Sequence, residues 1–203
     1  MLTFWPKQEE IEELASLDHA ALQQTAARQP LTALSTLEVP TYFGKFTVCA
    51  SAFGVSALFF PYMEDFDIFD RFDYYGLAAA SWGRKMAFEA GLELMGYAVG
   101  EVQTFETPVD LSYLSKFQQD ILLAVRKVPF GRTTTTRELA AAAGHEGKGG
   151  AAAQVLRHNP LPILVPCHRV LAADGRIGAY CGPLETKQFL LAHEGVDIEL
   201  ASA

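Results

Sequence analysis

The stretch Asn159-Pro160-Leu161-Pro162-Ile163-Leu164-Val165-Pro166-Cys167-His168-Arg169-Val170 decides how this chain is read. An apolar, β-prone run delivers a cysteine flanked by Pro and His, which predicts a thiol at a strand end or loop, beside a base and a cation. A free cysteine in an apolar run is most often a small buried core residue. Here the neighbours point elsewhere. His168 can take a proton directly or through a water, and Arg169 adds positive charge, so the local field favours thiolate over thiol.

The same run resembles the active-site signature of the O6-alkylguanine-DNA alkyltransferases, suicide repair proteins that move an alkyl group from guanine O6 onto their own cysteine. The resemblance extends over about residues 108 to 196. In order it takes in Val128-Pro129-Phe130-Gly131, a Thr-rich strand start from Thr133 to Thr136, Arg137-Glu138-Leu139-Ala140, Gly178-Ala179-Tyr180, Gly182 and Leu190-Leu191-Ala192-His193-Glu194-Gly195. The first hundred residues match far less well.

Composition sets the outer limits. With 203 residues, 50% hydrophobic and 20% charged, the chain suffices for one large or two small cores and is neither disordered nor fibrous. No apolar run approaches the length that spans a bilayer, and Met1-Leu2-Thr3-Phe4-Trp5-Pro6-Lys7 lacks the pattern of a secretory signal, so the expectation is a cytoplasmic protein with no membrane partner. Cys49, Cys167 and Cys181 form no metal-ligand spacing and no disulfide framework, which predicts no bound metal and a reducing compartment.

The formal charge of −8 is unusual for a protein that binds nucleic acid, because phosphate neutralisation normally supplies much of the affinity. The charge is unevenly placed. Residues 1 to 110 hold 6 Lys and Arg against 16 Asp and Glu, whereas residues 126 to 176 hold 8 basic against 3 acidic side chains. Such a mild basic stretch permits DNA binding without requiring it.

Residues 7 to 29 read as an acidic helix ended by Pro30, with Leu14, Leu17, Ala21 and Leu22 on one face. Residues 38 to 63 are β-rich, and the runs 42–49 and 55–60 around a Phe-Gly turn predict a hairpin. The aromatic and acidic stretch Glu64 to Tyr75 has no clean period. Trp82, Met86, Ala90 and Leu94, four apart, predict a helix over 77 to 96, and Pro108 marks a domain boundary. Ser115-Lys116-Phe117-Gln118 is a capping box, followed by an apolar stripe of Phe117, Ile121, Leu122, Val125 and Val128. Two short helices, from Arg137 to Ala143 and from about Ala151 to Arg157, flank the glycine-rich stretch Gly144 to Gly150. They read either as a helix-turn-helix or simply as two packed helices. A last helix runs from about Glu185 to Glu194 and is closed by Gly195, leaving Glu194 where an acid opposes the helix dipole. A carboxylate so placed often has a specific partner.

The resemblance implies roles for individual residues. Cys167 is the nucleophile, His168 takes its proton through a water, and Glu194 orients His168. Asn159 ties the helix-turn-helix to the cysteine loop; Tyr180 and the main chain near Val170 and Cys181 contact the flipped guanine. Cys181 stands where the family commonly has Ser, which weakens hydrogen bonding there, and its nearness to Cys167 allows a disulfide. The second short helix is implied to enter the minor groove, with Lys148, Arg157 and Arg169 as DNA-side cations. Two departures stand out. The family carries a phosphate-pressing Tyr where this chain has Thr136, and a stack-filling Arg where it has Gly150; Lys148 would substitute poorly, lacking a planar guanidinium.

The expected architecture is α+β: an acidic helical extension over 1–38, a strand-and-helix domain over 39–107, and a mostly helical domain over 108–203 with a helix-turn-helix and the active-site cysteine loop. The expected activity is stoichiometric, self-inactivating, cofactor-free transfer of a small alkyl group from O6 of guanine, and from O4 of thymine, to Cys167 of a monomer, with alkylated DNA, single-stranded or duplex, as partner. Two other readings are a damage-recognition module with weak transfer, and a cysteine hydrolase built on Cys167, His168 and Glu194. The hydrolase requires an oxyanion hole that the sequence does not reveal, and it would turn over repeatedly.

Overall fold

The computed structural model describes residues 35–51, 53–60, 81–178 and 180–196. The helix read over 7 to 29 and the stretch 64 to 75 lie outside the described residues. Tertiary contacts divide the chain after Asp110 into two compact units.

In the first unit the expected hairpin is present. Strand β2 (Gly44–Ser51) pairs antiparallel with β3 (Gly54–Phe59) across the Phe53-Gly54 turn. A third strand, β1 (Ser35–Thr41), pairs antiparallel with the other edge of β2. It begins three residues before the boundary expected at 38, because the finished hairpin offers Ser35 to Val39 a hydrogen-bonding edge that sequence alone does not display. Helix α1 (Ser81–Ala98) packs on this sheet and buries Met86, Ala90 and Leu94, three of the four residues that announced it. Its last turn closes on Gly100 in the left-handed region, with Glu101 N–H bonded to the Gly96 carbonyl.

The outer edge of β3 is covered by a short return of the chain. Val55 N–H donates to the Pro108 carbonyl and Asp110 N–H donates to the Val55 carbonyl, both at 2.9 Å. Pro108 fits there because an edge position asks no N–H of it. The return passes so near that a Cβ on Gly54, whose φ is +153°, would lie 2.6 Å from the Pro108 oxygen.

The second unit is built on α2 (Lys116–Val125), opened by the Ser115–Gln118 capping box and burying Ile121, Leu122 and Val125. Two short strands follow the order of the motifs. Strand β4 (Thr134–Thr135) pairs in parallel with β5 (Val170–Leu171), which joins the start of the helix pair to the segment just after Cys167. Helices α3 (Thr136–Ala142) and α4 (Gly149–Arg157) form the expected pair. Helix α3 opens on a second capping box, Thr135 with Glu138, and ends in a Schellman turn at Gly144, where His145 N–H reaches the Ala140 carbonyl at 2.8 Å. Helix α5 (Leu184–His193) ends the same way at Gly195, with Glu194 as its C-cap.

Two glycines give opposite expectations for stability. Gly54→Ala places a methyl against backbone at a left-handed φ and should lower the unfolding temperature of the protein by several degrees. Gly150→Ala, in the first turn of α4 with nothing within 4 Å of the new Cβ, should raise stability by roughly 0.5 kcal/mol. Thermal melts of the two variants beside the parent check both signs.

Candidate active site

The apolar run before Cys167 is a buried turn and not the end of a strand. Pro160 and Pro162 have no N–H to give a ladder, and Ile163 takes a left-handed φ of +73°. The Asn159 side chain holds the turn closed: its Nδ2 donates to the Val165 carbonyl at 2.9 Å and its Oδ1 accepts from Leu161 N–H at 3.0 Å. Pro166, at φ −77° and ψ 64°, is the centre of an inverse γ-turn that Cys167 N–H closes onto the Val165 carbonyl at 2.7 Å. Cys167, His168 and Arg169 then form a single 3-10 turn, and all three are buried.

Glu194 is the centre of charge organisation. Its Oε1 accepts from His168 Nε2 at 2.7 Å and from Arg169 NH2 at 2.9 Å, and its Oε2 accepts from Arg169 Nε at 2.9 Å and from Gly131 N–H at 3.1 Å. Burial works to raise the carboxyl pKa, but the hydrogen bonds and charges of His168 and Arg169 prevail and bring it down to about 2. It is therefore a carboxylate, which accepts only, so His168 Nε2 carries the hydrogen between them. The tautomer follows. Nδ1 of His168 keeps its lone pair, and it has no hydrogen-bond partner among the described residues. Burial, opposed by Glu194 and helped by the Arg169 and Lys187 charges, holds the His168 pKa below its ordinary value, so the ring is neutral and able to accept a proton.

The Cys167 sulfur lies 3.5 Å from that of Cys181. Burial of Cys167 disfavours a thiolate; hydrogen bonds from Cys181 and Asn159, the Lys187 charge and its own backbone N–H outweigh it, and the pKa falls below that of an ordinary thiol. Cys181 moves the opposite way, well above the ordinary value, through its hydrogen bond to Cys167 and then burial. Of the two thiols, Cys167 is the easier to deprotonate, and Cys181 stabilises its sulfur through the hydrogen bond between them. Cys49, buried in the sheet of the first unit, is pushed up to about 12 by burial and is inert by comparison.

Lys187 is the functional residue that sequence reading missed. It is fully buried in α5, and its Nζ donates to the Val170 carbonyl at 2.6 Å. Burial lowers its pKa to about 8, against the opposite pull of Cys167 and Cys181, so near neutral pH it is a cation facing the two sulfurs. A signal for it existed. Lys187, Leu190, Leu191 and Glu194 fall at i, i+3, i+4 and i+7, placing two charges on the one apolar face of their helix. The Val128–Gly131 stretch adds main-chain contacts that residue types do not reveal: Gly131 N–H donates to Glu194, and the Val128 carbonyl accepts from Arg169 NH1 at 2.6 Å.

The other expected residues divide by exposure. Asn159, Val170, Tyr180 and Cys181 lie in the segments flanking the thiol, and the Val170 carbonyl already serves Lys187. Lys148, Gly150 and Arg157 are exposed on or beside α4. Two expectations are corrected. Arg169 is no DNA-side cation: it is 4% exposed, paired with Glu194 and stacked over Phe130 with its guanidinium 5.7 Å from the ring centre. Thr136 does not face outward either, since it shares the buried i, i+3, i+4 face of α3 with Leu139 and Ala140.

The Glu194 cluster dictates an acid-sensitive contribution to stability. A carboxyl lowered from 4.5 to about 2 stabilises the fold fully above its unfolded value, and that contribution, about 3 kcal/mol, is lost as pH falls through about 2. Glu194→Gln leaves Arg169 buried without a countercharge and should cost roughly 3–5 kcal/mol at pH 7. Urea unfolding should show the gap between parent and variant narrowing from pH 5 towards pH 2; a constant gap would exclude the carboxylate as its source.

Known proteins share this arrangement of chain. The family model described as 6-O-methylguanine DNA methyltransferase, DNA binding domain, matches residues 116–196. A methylated-DNA–protein-cysteine methyltransferase of Mycolicibacterium paratuberculosis is 39% identical over 53% of this chain and 66% of its own length. One of Methanosarcina acetivorans is 34% identical over 57% of this chain and 74% of its own. The crystal structure of Mycobacterium tuberculosis OGT in complex with DNA superposes with a TM-score of 0.63 at 28% identity, covering 80% of this chain and 92% of that one. With the cysteine turn, the buried His–Glu–Arg cluster and the helix pair all within the matched stretch, the chain belongs to the methylated-DNA–protein-cysteine methyltransferase family.

Proposed function

We propose that the protein repairs DNA by a single, stoichiometric transfer of a methyl or other small alkyl group from O6 of guanine to Cys167. The observation that carries this reading is a thiol of lowered pKa in the same buried turn as a neutral His168 that Glu194 holds by Nε2. Dealkylation at O6 is a displacement at carbon with a poor leaving group, so it needs a soft, strong nucleophile and a way to neutralise the departing base. The Cys167 thiolate attacks the alkyl carbon, the carbon–O6 bond breaks, and its electron pair passes to the guanine. His168 Nδ1 receives the thiol proton, directly or through a water, while Glu194 stabilises the imidazolium so formed. Tyr180, buried and next to Cys181 in the chain, supplies a phenol hydroxyl for the charge that develops on the base. The product is a thioether, which nothing in the cluster activates for hydrolysis. The protein stops after one event, and O4 of thymine, with the same exposed alkoxy carbon, is a second substrate.

DNA is the partner, approached by the outward face of α4, where Gly150, Ala151, Gln154 and Arg157 are exposed while Ala152, Val155 and Leu156 are buried. This face is smooth and weakly charged. Extruding a stacked base costs a few kcal/mol, which a protein offsets by pressing on the phosphate and filling the gap. Thr136 faces inward and Gly150 fills nothing, so extrusion from a duplex is the weak step of this protein.

Intact-mass measurement after incubation with an oligonucleotide containing O6-methylguanine should show one methyl per protein, mapped to Cys167 and absent from Cys49 and Cys181. Cys167→Ser should abolish the adduct. His168→Ala should slow it by roughly 10² or more, the usual scale for a positioned base. Continued turnover past one equivalent would favour a hydrolase, and binding without any adduct would favour a recognition module.

Single-strand and duplex substrates separate the extrusion step from the chemistry. Methyl transfer should be markedly slower from duplex than from single strands. Gly150→Arg, whose new side chain enters open space, should recover duplex repair selectively, and Thr136→Tyr should add to it only if the ring swings out of the buried face. Equal parental rates on the two substrates would assign extrusion to another residue, with Lys148 and Arg157 the first to substitute.

A further inference from the structure

We propose that Cys167 and Cys181 are a modification site, oxidised by peroxides to a reversible intramolecular disulfide that withdraws the alkyl acceptor. The two sulfurs come from different segments, the 3-10 turn after Pro166 and the loop before α5, and yet lie 3.5 Å apart. A disulfide bond is about 2.05 Å long, so the remaining approach of about 1.5 Å is within the reach of side-chain rotation. Cys181 is partly exposed whereas Cys167 is fully buried, so the pair joins a residue near the surface to one inside the cluster. On the proposed function an alkyl carbon reaches Cys167, and hydrogen peroxide is smaller than the alkylated base that carries that carbon.

The chemistry balances with peroxide as the two-electron oxidant. The Cys167 thiolate attacks one peroxide oxygen, the O–O bond breaks, and water or an alcohol leaves once protonated, giving a sulfenic acid on Cys167. Cys181 then gives up its proton and attacks the Cys167 sulfur; the S–O bond breaks and a second water leaves. Two thiols are oxidised and one peroxide is reduced. Lys187 holds its charge beside both sulfurs and favours each thiolate in turn. A serine in place of Cys181 has no sulfur to close the bond, and the sulfenic acid then stays open to further, irreversible oxidation.

The consequence for repair rests on Cys167 being the acceptor, whereas formation of the bond does not. The full-length protein is treated with a small excess of hydrogen peroxide, blocked with iodoacetamide under denaturing conditions and digested. The expected result is a loss of two hydrogens, a cross-linked peptide pair containing Cys167 and Cys181, and a fully blocked Cys49. Dithiothreitol should restore both thiols and, with them, methyl acceptance from an O6-methylguanine oligonucleotide. In Cys181→Ser the same treatment should yield sulfinic acid on Cys167 and a loss of acceptance that dithiothreitol does not reverse. Sulfenic or sulfinic acid on Cys167 of the parent with Cys181 still a thiol, or a bond to Cys49, overturns the inference while untreated protein methylated at Cys167 leaves the proposed function standing. A disulfide-linked protein that still accepts one methyl overturns Cys167 as the acceptor.

Discussion

The Glu194 carboxylate is the interaction on which the second unit depends. It sits at the C-terminal end of α5, where the helix dipole alone would repel it, and three groups from two other segments compensate: His168, Arg169 and the Gly131 amide. Those contacts fix more than charge. Arg169 carries the link on to the Val128 carbonyl, so the end of one helix, the turn after α2 and the cysteine turn are held to a common point. The same contacts decide the His168 tautomer and thus which nitrogen faces reaction. Stability and reactivity share one group.

A second constraint comes from placing ionisable groups where water does not screen them. A fully buried thiol would ordinarily be kept protonated, as Cys49 is. Cys167 escapes this because Cys181, Asn159 and Lys187 converge on it, each from a different element. Asn159 also closes the turn that presents the sulfur. Backbone shape and sulfur reactivity are therefore set by one side chain, and a change there cannot separate them.

Much of this was legible in the sequence, and the exceptions have physical causes. The Ser115 capping box, the α1 stripe and the β2–β3 hairpin are local patterns, and they stand where the residues put them. Glu194 announced itself by opposing a helix dipole. The apolar run before Cys167 left strand end and loop both open; the loop is what forms, because the run is interrupted by prolines and captured by Asn159, a tertiary contact that propensity does not register. The family pattern put Thr136 and Arg169 on the DNA side, yet Arg169 is held by a buried countercharge and Thr136 lies on the inner face of a short helix. Lys187 was legible in principle: the apolar face of α5 has only one place for it, and a Lys there requires a buried reason.

On the proposed function, the charge arrangement makes alkylation an event the fold registers. Below about pH 8 Lys187 is a buried cation, tolerated because the sulfurs of Cys167 and Cys181 face it and because Val170 accepts one of its hydrogens. Burying a cation costs several kcal/mol unless it is paired and hydrogen-bonded. Transfer of an alkyl group to Cys167 would leave a neutral thioether of larger volume and add no new acceptor for the ammonium. The reacted state thus keeps the desolvation cost of Lys187 and loses part of what offset it, at the point where α5 meets the cysteine turn. The arrangement that makes the sulfur nucleophilic is therefore the one that the reaction undoes.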